Sequence, residues 1–322
     1  MHYQHSYQDK TILVTGASGY LGSRVVQSLL DTNCNIIRIA RKKCDPVLKS
    51  TAKITDIQAD FSSFDDWINV LKPVDFIFHF AAQTGIAVAD NDPVQDAQTN
   101  VIGTLKILEA AKQLGNKVII FASAATVCGL QDNINISEAA IDHPATLYDF
   151  NKLINENYIR YFCNKKWLRG VSLRLANVYG PGVKSSESSR GVLNQVIKNA
   201  LIGKDPATYC GGEFTRDYIY IDDVVHAFIA AGVYVDQLNG KHFVIGSGVG
   251  TTIKKTFSMV IDRVKEKTGK SLHLQNVELP NGLSAIDSRD FIADSTAFSL
   301  ITDWHPTVSL QQGIDAVISD GV

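Results

Sequence analysis

The chain has 322 residues, 45% of them hydrophobic and 20% charged, with a formal net charge of −2. That length suits two lobes around a cleft better than one minimal domain, and the composition is that of a soluble globular protein. The near-neutral charge argues against nucleic acid or an anionic membrane as a partner, and no apolar run approaches the roughly 20 residues of a membrane span. The polar start from Met1 to Lys10 does not read as a signal peptide. Cys34, Cys44, Cys128, Cys163 and Cys210 are scattered without metal-ligand spacing. Free thiols in a reducing cytoplasm are expected, and no metal site.

In chain order, the first apolar run is Thr11-Ile12-Leu13-Val14. It leads directly into Thr15-Gly16-Ala17-Ser18-Gly19-Tyr20-Leu21-Gly22. A strand that turns tightly into a helix needs a residue without Cβ, here Gly16. Close approach of a pyrophosphate needs Gly19, and close packing of the helix on the sheet needs Gly22. The helix that follows aims its N-terminal N–H groups and positive dipole end at the phosphates. The spacing is GxxGxxG, not the GxGxxG of the general dinucleotide fingerprint. The second strand ends in Ala40, followed by Arg41, Lys42 and Lys43. An acid at this point would bond a ribose 2′-hydroxyl; a basic cluster attracts a 2′-phosphate. NADP(H) is therefore favoured, with NAD(H) as the alternative. Asp60, at the end of the next strand, is placed to bond an adenine amine. The strand through His79-Phe80-Ala81-Ala82 ends in small residues that let the backbone lie against a flat ligand. His79 reads as a packing residue rather than a catalyst.

Strand-like runs at 11–15, 36–40, 54–58, 76–80, 117–122 and 170–175 alternate with helical patterns. This is the βαβ signature of a parallel sheet. The longest helices are expected at 96–114 and 148–162. On the second, Tyr148 and Lys152 are four residues apart and share a face. A tyrosine is a poor base at its free pKa near 10, but a neighbouring ammonium favours the phenolate. The pair can move a proton to or from a bound substrate beside a nicotinamide. After Tyr179 the pattern changes. Gly180-Pro181-Gly182 breaks the strand, and a polar run from Lys184 to Gly191 is either a linker or a flap over a ligand. A helix at 192–203 and an exposed strand-loop segment at 208–213 lead to Arg216.

Taken together, these motifs resemble the extended short-chain dehydrogenase/reductase family, in its nucleotide-sugar epimerase/dehydratase branch. The resemblance runs through the glycine loop, His79-Phe80-Ala81-Ala82-Gln83, Asn100-Val101-Ile102-Gly103-Thr104, and Tyr148 with Lys152. It continues in Leu173-Arg174-Leu175-Ala176-Asn177-Val178-Tyr179-Gly180-Pro181-Gly182 and Thr215-Arg216-Asp217-Tyr218-Ile219-Tyr220-Ile221-Asp222-Asp223-Val224. It closes in the segment from Arg289 to Asp294 and in Trp304-His305-Pro306. It implies a Rossmann-type doubly wound parallel sheet over residues 1–176. A smaller α/β substrate domain over 177–322 would follow, with some segments returning to the first. It implies dinucleotide contacts from Gly16, Ser18, Gly19, Tyr20, Leu21 and Gly22. Arg41, Asp60, Phe61, Phe80, Ala81, Ala82 and Gln83 would add to these, as would Asn100, Ser123, Tyr148, Lys152 and Ala176. A nucleoside diphosphate sugar would meet Thr84, Asn177, Val192, Asn194, Tyr209, Arg216 and Arg289. Arginine forks match phosphate oxygens; the plain alternative is surface ion pairing of Arg216 with Asp217 and of Arg289 with Asp287. The two long helices would pair in a homodimer.

The same family pattern exposes departures. The strand hydroxyl expected beside Tyr148 and Lys152 falls on Ala124, and Cys128 stands where a tyrosine is common. Either Ser123 or Thr126 supplies the hydroxyl from a shifted backbone, or a water does, or the reaction is slow or different. Thr126 is preferred, because in a regular strand it shares the face of position 124 while Ser123 points away. The acidic pair of a 4,6-dehydratase would fall on Ala125 and Thr126, so that reaction is not expected. Ala87 and Ala89 stand where polar groups are common, which suggests a less polar sugar pocket. The leading expectation is an epimerase acting at C4 through a 4-keto sugar. An NADPH-dependent 4-ketoreductase of a deoxy sugar and a catalytically inactive cofactor-binding protein are the alternatives.

Overall fold

The computed structural model describes residues 3–182, 191–278 and 288–321. The polar run 184–190 and Asp287 lie outside the described residues. The dominant element is a seven-stranded sheet, parallel throughout. Its first five strands in sequence are β1 (Thr11–Thr15), β2 (Asn35–Ala40), β3 (Lys53–Gln58), β4 (Phe76–His79) and β5 (Val118–Ala124). Across the sheet the order is His242–Ile245, Arg169–Leu175, β5, β4, β1, β2, β3. Strand order therefore reverses between β1 and β4, the switch point at which such sheets open a ligand crevice at their carboxyl ends.

The strands are apolar on both faces because helices cover both. Ile12 and Val14 point into one core and Leu13 into the other. Along β5, Ile120 joins the first core while Ile119 and Phe121 join the second. Such near-continuous apolar runs are what a doubly covered parallel sheet requires. The expected helix at 96–114 is built in three pieces. Pro93–Ala97 and Gly103–Leu114 are α-helical, and Gln98–Ile102 between them is a widened π turn. The widened turn puts the buried Asn100 side chain against the backbone of Gln83, a placement typical of π turns near functional sites.

After Leu175 the chain leaves the large sheet. Asn177–Tyr179 pairs parallel with Thr215–Tyr220, which pairs antiparallel with Gly250–Thr252. Between these, His242–Ile245 returns as the edge strand of the large sheet. The segment read from sequence as a single exposed strand-loop contains Ala207–Tyr209, which pairs with Gln275–Val277. That pairing is invisible locally because its partner lies about seventy residues away. Among the described residues, no helix is long and apolar enough to cross a membrane.

Candidate active site

The glycine loop joins β1 to the first helix, α1 (Tyr20–Leu29). Gly16 has φ +66°, and a Cβ there would meet the Ala81 backbone nitrogen at 2.8 Å. A Cβ on Gly22 would meet the Gly16 carbonyl oxygen at 2.4 Å. Both positions exclude side chains by contact with backbone, which cannot swing aside. The Gly19 N–H donates to Gly16 at 2.8 Å and closes the turn, and Gly19 caps α1 with extended backbone and no side-chain bond. The helix start is thus left bare toward the crevice, the arrangement that receives phosphate.

Thr15 and His79 lock the ends of β1 and β4 together. The Thr15 oxygen accepts the Phe80 and Ala81 N–H groups at 3.1 Å each, and the hydroxyl meets His79 Nδ1 at 2.7 Å. Thr104 donates its hydroxyl to the Asn100 carbonyl, so its oxygen accepts from His79 Nε2. This network assigns a neutral imidazole protonated on Nε2. Burial, with Lys152 adding to it, pushes the His79 pKa down to about 3. His79 is a clamp, as its sequence context suggests, and not an acid or base at neutral pH.

One groove, of about 450 Å³, runs from Gly16, Ser18 and Gly19 past Ala40 and Arg41 to Asp60 and Phe61, with Phe80 to Gln83 along one wall. Asp60 accepts both the hydroxyl and the N–H of Ser62. These bonds, with the Arg41 charge adding to them, hold its carboxyl below the usual range. Arg41 is exposed at the rim. Asn100 is not on the groove wall. Its amide pairs with both backbone groups of Gln83 and so holds that wall from behind.

A second cleft of about 260 Å³ adjoins the glycine loop and is lined by Tyr20, Leu21, Gly22, Ala82, Thr84, Ser123, Ala124, Tyr148, Lys152 and Ala176. Tyr148 and Lys152 lie on the helix Leu147–Asn164. Lys152 donates to the Ala122 carbonyl at 2.7 Å and lies over the rings of Phe121 and Tyr148, 4.6 and 5.6 Å from their centroids. Ser123 lines the cleft, but its hydroxyl donates to Glu156. Glu156 in turn pairs with the buried Arg174 at 2.6 Å, and Arg174 also reaches Asp142 at 2.7 Å. Burial alone would lower the Arg174 pKa, but the two carboxylates hold it above its ordinary value.

Thr126 is not on the cleft wall. β5 ends at Ala124, and Ala125–Cys128 curls into a 3₁₀ turn, so strand alternation does not carry Thr126 onto the face of position 124. Its hydroxyl donates to Asp149, which also binds Thr146, the N-cap of the helix Leu147–Asn164. Ala124, whose side chain is a methyl, lines the cleft together with Tyr148. Thr84 lines the same cleft, and its hydroxyl oxygen is buried without a partner among the described residues.

The residues expected on the sugar-nucleotide side separate into two groups. Asn194 is buried, accepts the Gly180 N–H at 3.0 Å and donates to the Tyr20 hydroxyl at 3.3 Å; Tyr20 donates to the Gly180 carbonyl. Asn194 and Tyr20 therefore pin the 180 turn to α1. Val192 is exposed at the start of its helix, and Asn177 begins the strand after Leu175. Arg216 is buried, and its guanidinium donates to the carbonyls of Thr215 and Arg289, which brings the two arginine positions together. Asp217 does not pair with Arg216. It accepts from Ser247, Gly248 and Ala293, and burial raises its pKa. Tyr209 is half-exposed beside the Cys210–Gly212 turn. Asn177, Tyr209, Arg216 and Arg289 fall outside the wall of the 260 Å³ cleft. Ala89 is fully buried and Ala87 exposed, so neither lines it. The supporting residues Glu156, Arg174, Asp149 and Asp96 were not singled out from sequence. Only Glu156 carried a local signal, one helical turn beyond Lys152.

The model of the NAD dependent epimerase/dehydratase family matches residues 12–246. A UDP-glucose 4-epimerase of Mycolicibacterium smegmatis is 30% identical over 310 residues, covering 94% of this chain and 95% of its own. A putative UDP-glucose 4-epimerase of Methanocaldococcus jannaschii is 28% identical over 313 residues, covering 96% and 97%. A crystal structure of UDP-glucose 4-epimerase from Thermotoga maritima with UDP-glucose superposes with a TM-score of 0.84 at 30% identity, covering 96% of this chain and 98% of that one.

Proposed function

Because the chain belongs to the NAD-dependent epimerase/dehydratase family, we propose that it epimerises a nucleoside diphosphate hexose at C4, with UDP-glucose and UDP-galactose as the first candidates. The observation that carries this reading is the cleft in which the Gly16–Gly22 turn, Tyr148 and Lys152 meet. The residues present fit a dinucleotide. Gly16 and Gly22 leave no room for a Cβ, and the bare start of α1 faces the crevice. Gly16, Ser18, Gly19 and the α1 N-terminus would hold its pyrophosphate, Asp60 and Phe61 its adenine end, and Lys152 its nicotinamide ribose. Ala40 offers no acid to a 2′-hydroxyl, and Arg41 and Lys42 stand at the rim. That supports NADP(H) beside the NAD(H) of the family name.

When bound, the nicotinamide supplies a reversible acceptor for the C4 hydride and its electron pair. The protein's part is proton transfer and orientation. Tyr148 takes the proton of the C4 hydroxyl as that carbon is oxidised and returns it on reduction. The Lys152 ammonium, fixed by the Ala122 carbonyl, favours the phenolate that does this. Presenting the other face of the keto sugar to the same relay inverts C4. Phe150, Ile154 and Tyr161 are exposed on the outer side of the catalytic helix, which supports pairing of two copies.

The test is conversion of UDP-glucose to UDP-galactose by the full-length protein, in wild type and Tyr148→Phe. Turnover that needs no stoichiometric cofactor and vanishes in the variant is expected. Equal activity in the two proteins refutes the mechanism. The ketoreductase reading draws on the Arg41 rim; it requires consumption of NADPH with a UDP-4-keto sugar and no interconversion of the hexoses.

A further inference from the structure

The oxygen that exchanges its proton with Tyr148 gains negative charge as its carbon becomes a carbonyl. A second hydrogen-bond donor on that oxygen lowers the barrier, because the bond strengthens as charge develops. Four hydroxyl-bearing side chains line the cleft: Tyr20, Thr84, Ser123 and Tyr148. Tyr148 is the proton-transfer group. Tyr20 is committed to the Gly180 carbonyl at 2.8 Å, and Ser123 to Glu156. Ala124, on the wall beside Tyr148, has no polar group to offer. The Thr84 hydroxyl remains, with its oxygen buried and no partner among the described residues. A buried hydroxyl left unmade costs about 1–3 kcal/mol, so its retention needs a reason.

The neighbours of Thr84 are fixed. The Gln83 N–H donates to Asn100 at 2.8 Å, and the Gln83 amide donates to the Gly85 carbonyl and to Asp96, each at 2.9 Å. Asn100, Asp96 and Asn151 join into one buried network, and Asn151 stands on the catalytic helix between Tyr148 and Lys152. The loop carrying Thr84 and the helix carrying Tyr148 are thus braced against the same carboxylate. That fixes the two hydroxyls on one frame before substrate arrives.

We propose that Thr84 donates its hydroxyl hydrogen bond to the sugar oxygen that exchanges its proton with Tyr148, in place of a donor from the Ala124 position. The proposal rests on the sugar-nucleotide reading above and extends it to a second group on the reacting oxygen.

Two measurements test it in the full-length protein. The first is calorimetry with UDP-glucose and UDP-4-deoxyglucose, which needs no turnover. Wild type should prefer the hydroxylated ligand by about 25-fold, the worth of two ordinary hydrogen bonds, one from Tyr148 and one from Thr84. Thr84→Val, which keeps the shape and removes the hydroxyl, should cut that preference about fivefold, leaving the part Tyr148 supplies, while dinucleotide affinity stays within twofold. The second is kinetic. Thr84→Val should lower kcat about 10²-fold with KM changed less than threefold. Thr84→Ser should stay near wild type, and Ala124→Ser should recover at least tenfold of the loss in the Thr84→Val background. An unchanged ligand preference, or kcat within threefold of wild type, overturns the role of Thr84 and leaves the epimerase reading standing. Loss of dinucleotide affinity instead assigns the hydroxyl to the cofactor and also overturns it. Wild type that binds neither sugar nucleotide overturns the substrate reading, and this role with it.

Discussion

Replacing Gly22 by alanine tests the glycine loop where its geometry is tightest. The added Cβ would lie 2.4 Å from the Gly16 carbonyl oxygen, 2.9 Å from its carbon and 3.0 Å from Ala17 Cα. All three are backbone atoms, so relief requires α1 to retreat by about 1 Å to reach ordinary contact near 3.4 Å. Alanine gains roughly 0.5–1 kcal/mol over glycine inside a helix, while overpacking of this kind costs about 1–3 kcal/mol. A net loss of about 1–2 kcal/mol in folding free energy is expected, read from urea denaturation. The larger effect falls on the cofactor. The carbonyl that must move accepts the Gly19 N–H at 2.8 Å, so the turn and the start of α1 shift together. Loss of about 1.4–2.8 kcal/mol, ten- to a hundredfold in dinucleotide Kd, is expected by fluorescence or calorimetric titration. Gly19→Ala is the comparison, since its Cβ meets the Gly16 oxygen only at 3.0 Å. It should leave stability nearly unchanged while still crowding the pyrophosphate. Gly22→Ala with wild-type stability and a Kd within twofold of wild type would refute the contact argument.

Further outcomes follow from the same structure. Arg41→Ala should weaken NADP(H) binding about tenfold and leave NAD(H) nearly unchanged; equal effects on the two, or none, remove Arg41 from 2′-phosphate recognition. Glu156→Ala strips the buried Arg174 of its main partner and leaves it with the partly exposed Asp142; a stability loss of about 3–5 kcal/mol is expected in chemical denaturation, and a loss under about 1 kcal/mol refutes the assignment. His79 has its pKa pushed from 6.5 down to about 3 by burial, so between those values the unfolded chain binds more protons than the folded one. Its contribution is present above pH 6.5 and is lost on acidification toward pH 3, at up to about 1.4 kcal/mol per pH unit. Denaturation at pH 6.5 and pH 5 should show a drop about 1.6 kcal/mol larger in wild type than in His79→Gln; parallel drops mean the imidazole titrates normally.

What the sequence determined by itself is what a few neighbouring residues encode. Alternating apolar runs and helical periods marked all of the first six strands of the large sheet, because strand and helix repeats are local. The turn at Gly16 to Gly22 was readable because the spacing of its glycines is local, although the backbone that crowds Gly16 belongs to Phe80 and Ala81 on the neighbouring strand end. Tyr148 and Lys152 were readable because four residues span one helical turn. The place of His79 followed from an apolar strand with no room for water. Other features were decided only when distant segments met. Strand order, and the return of His242–Ile245 to the sheet edge, depend on pairing across the fold. Thr126 looked available because strand alternation was extended past Ala124, where the chain in fact curls and gives that hydroxyl to Asp149, twenty-three residues on. Pairing of Arg216 with Asp217 was the plain alternative to phosphate binding, yet the two turn to separate backbone partners. Thr15, Thr104 and Thr126 have hydroxyl partners and Thr84 has none among the described residues, and no local pattern records that. A hydrogen bond is settled by which groups three-dimensional packing brings within about 3 Å, so the elements were written locally and the roles of the hydroxyls were not.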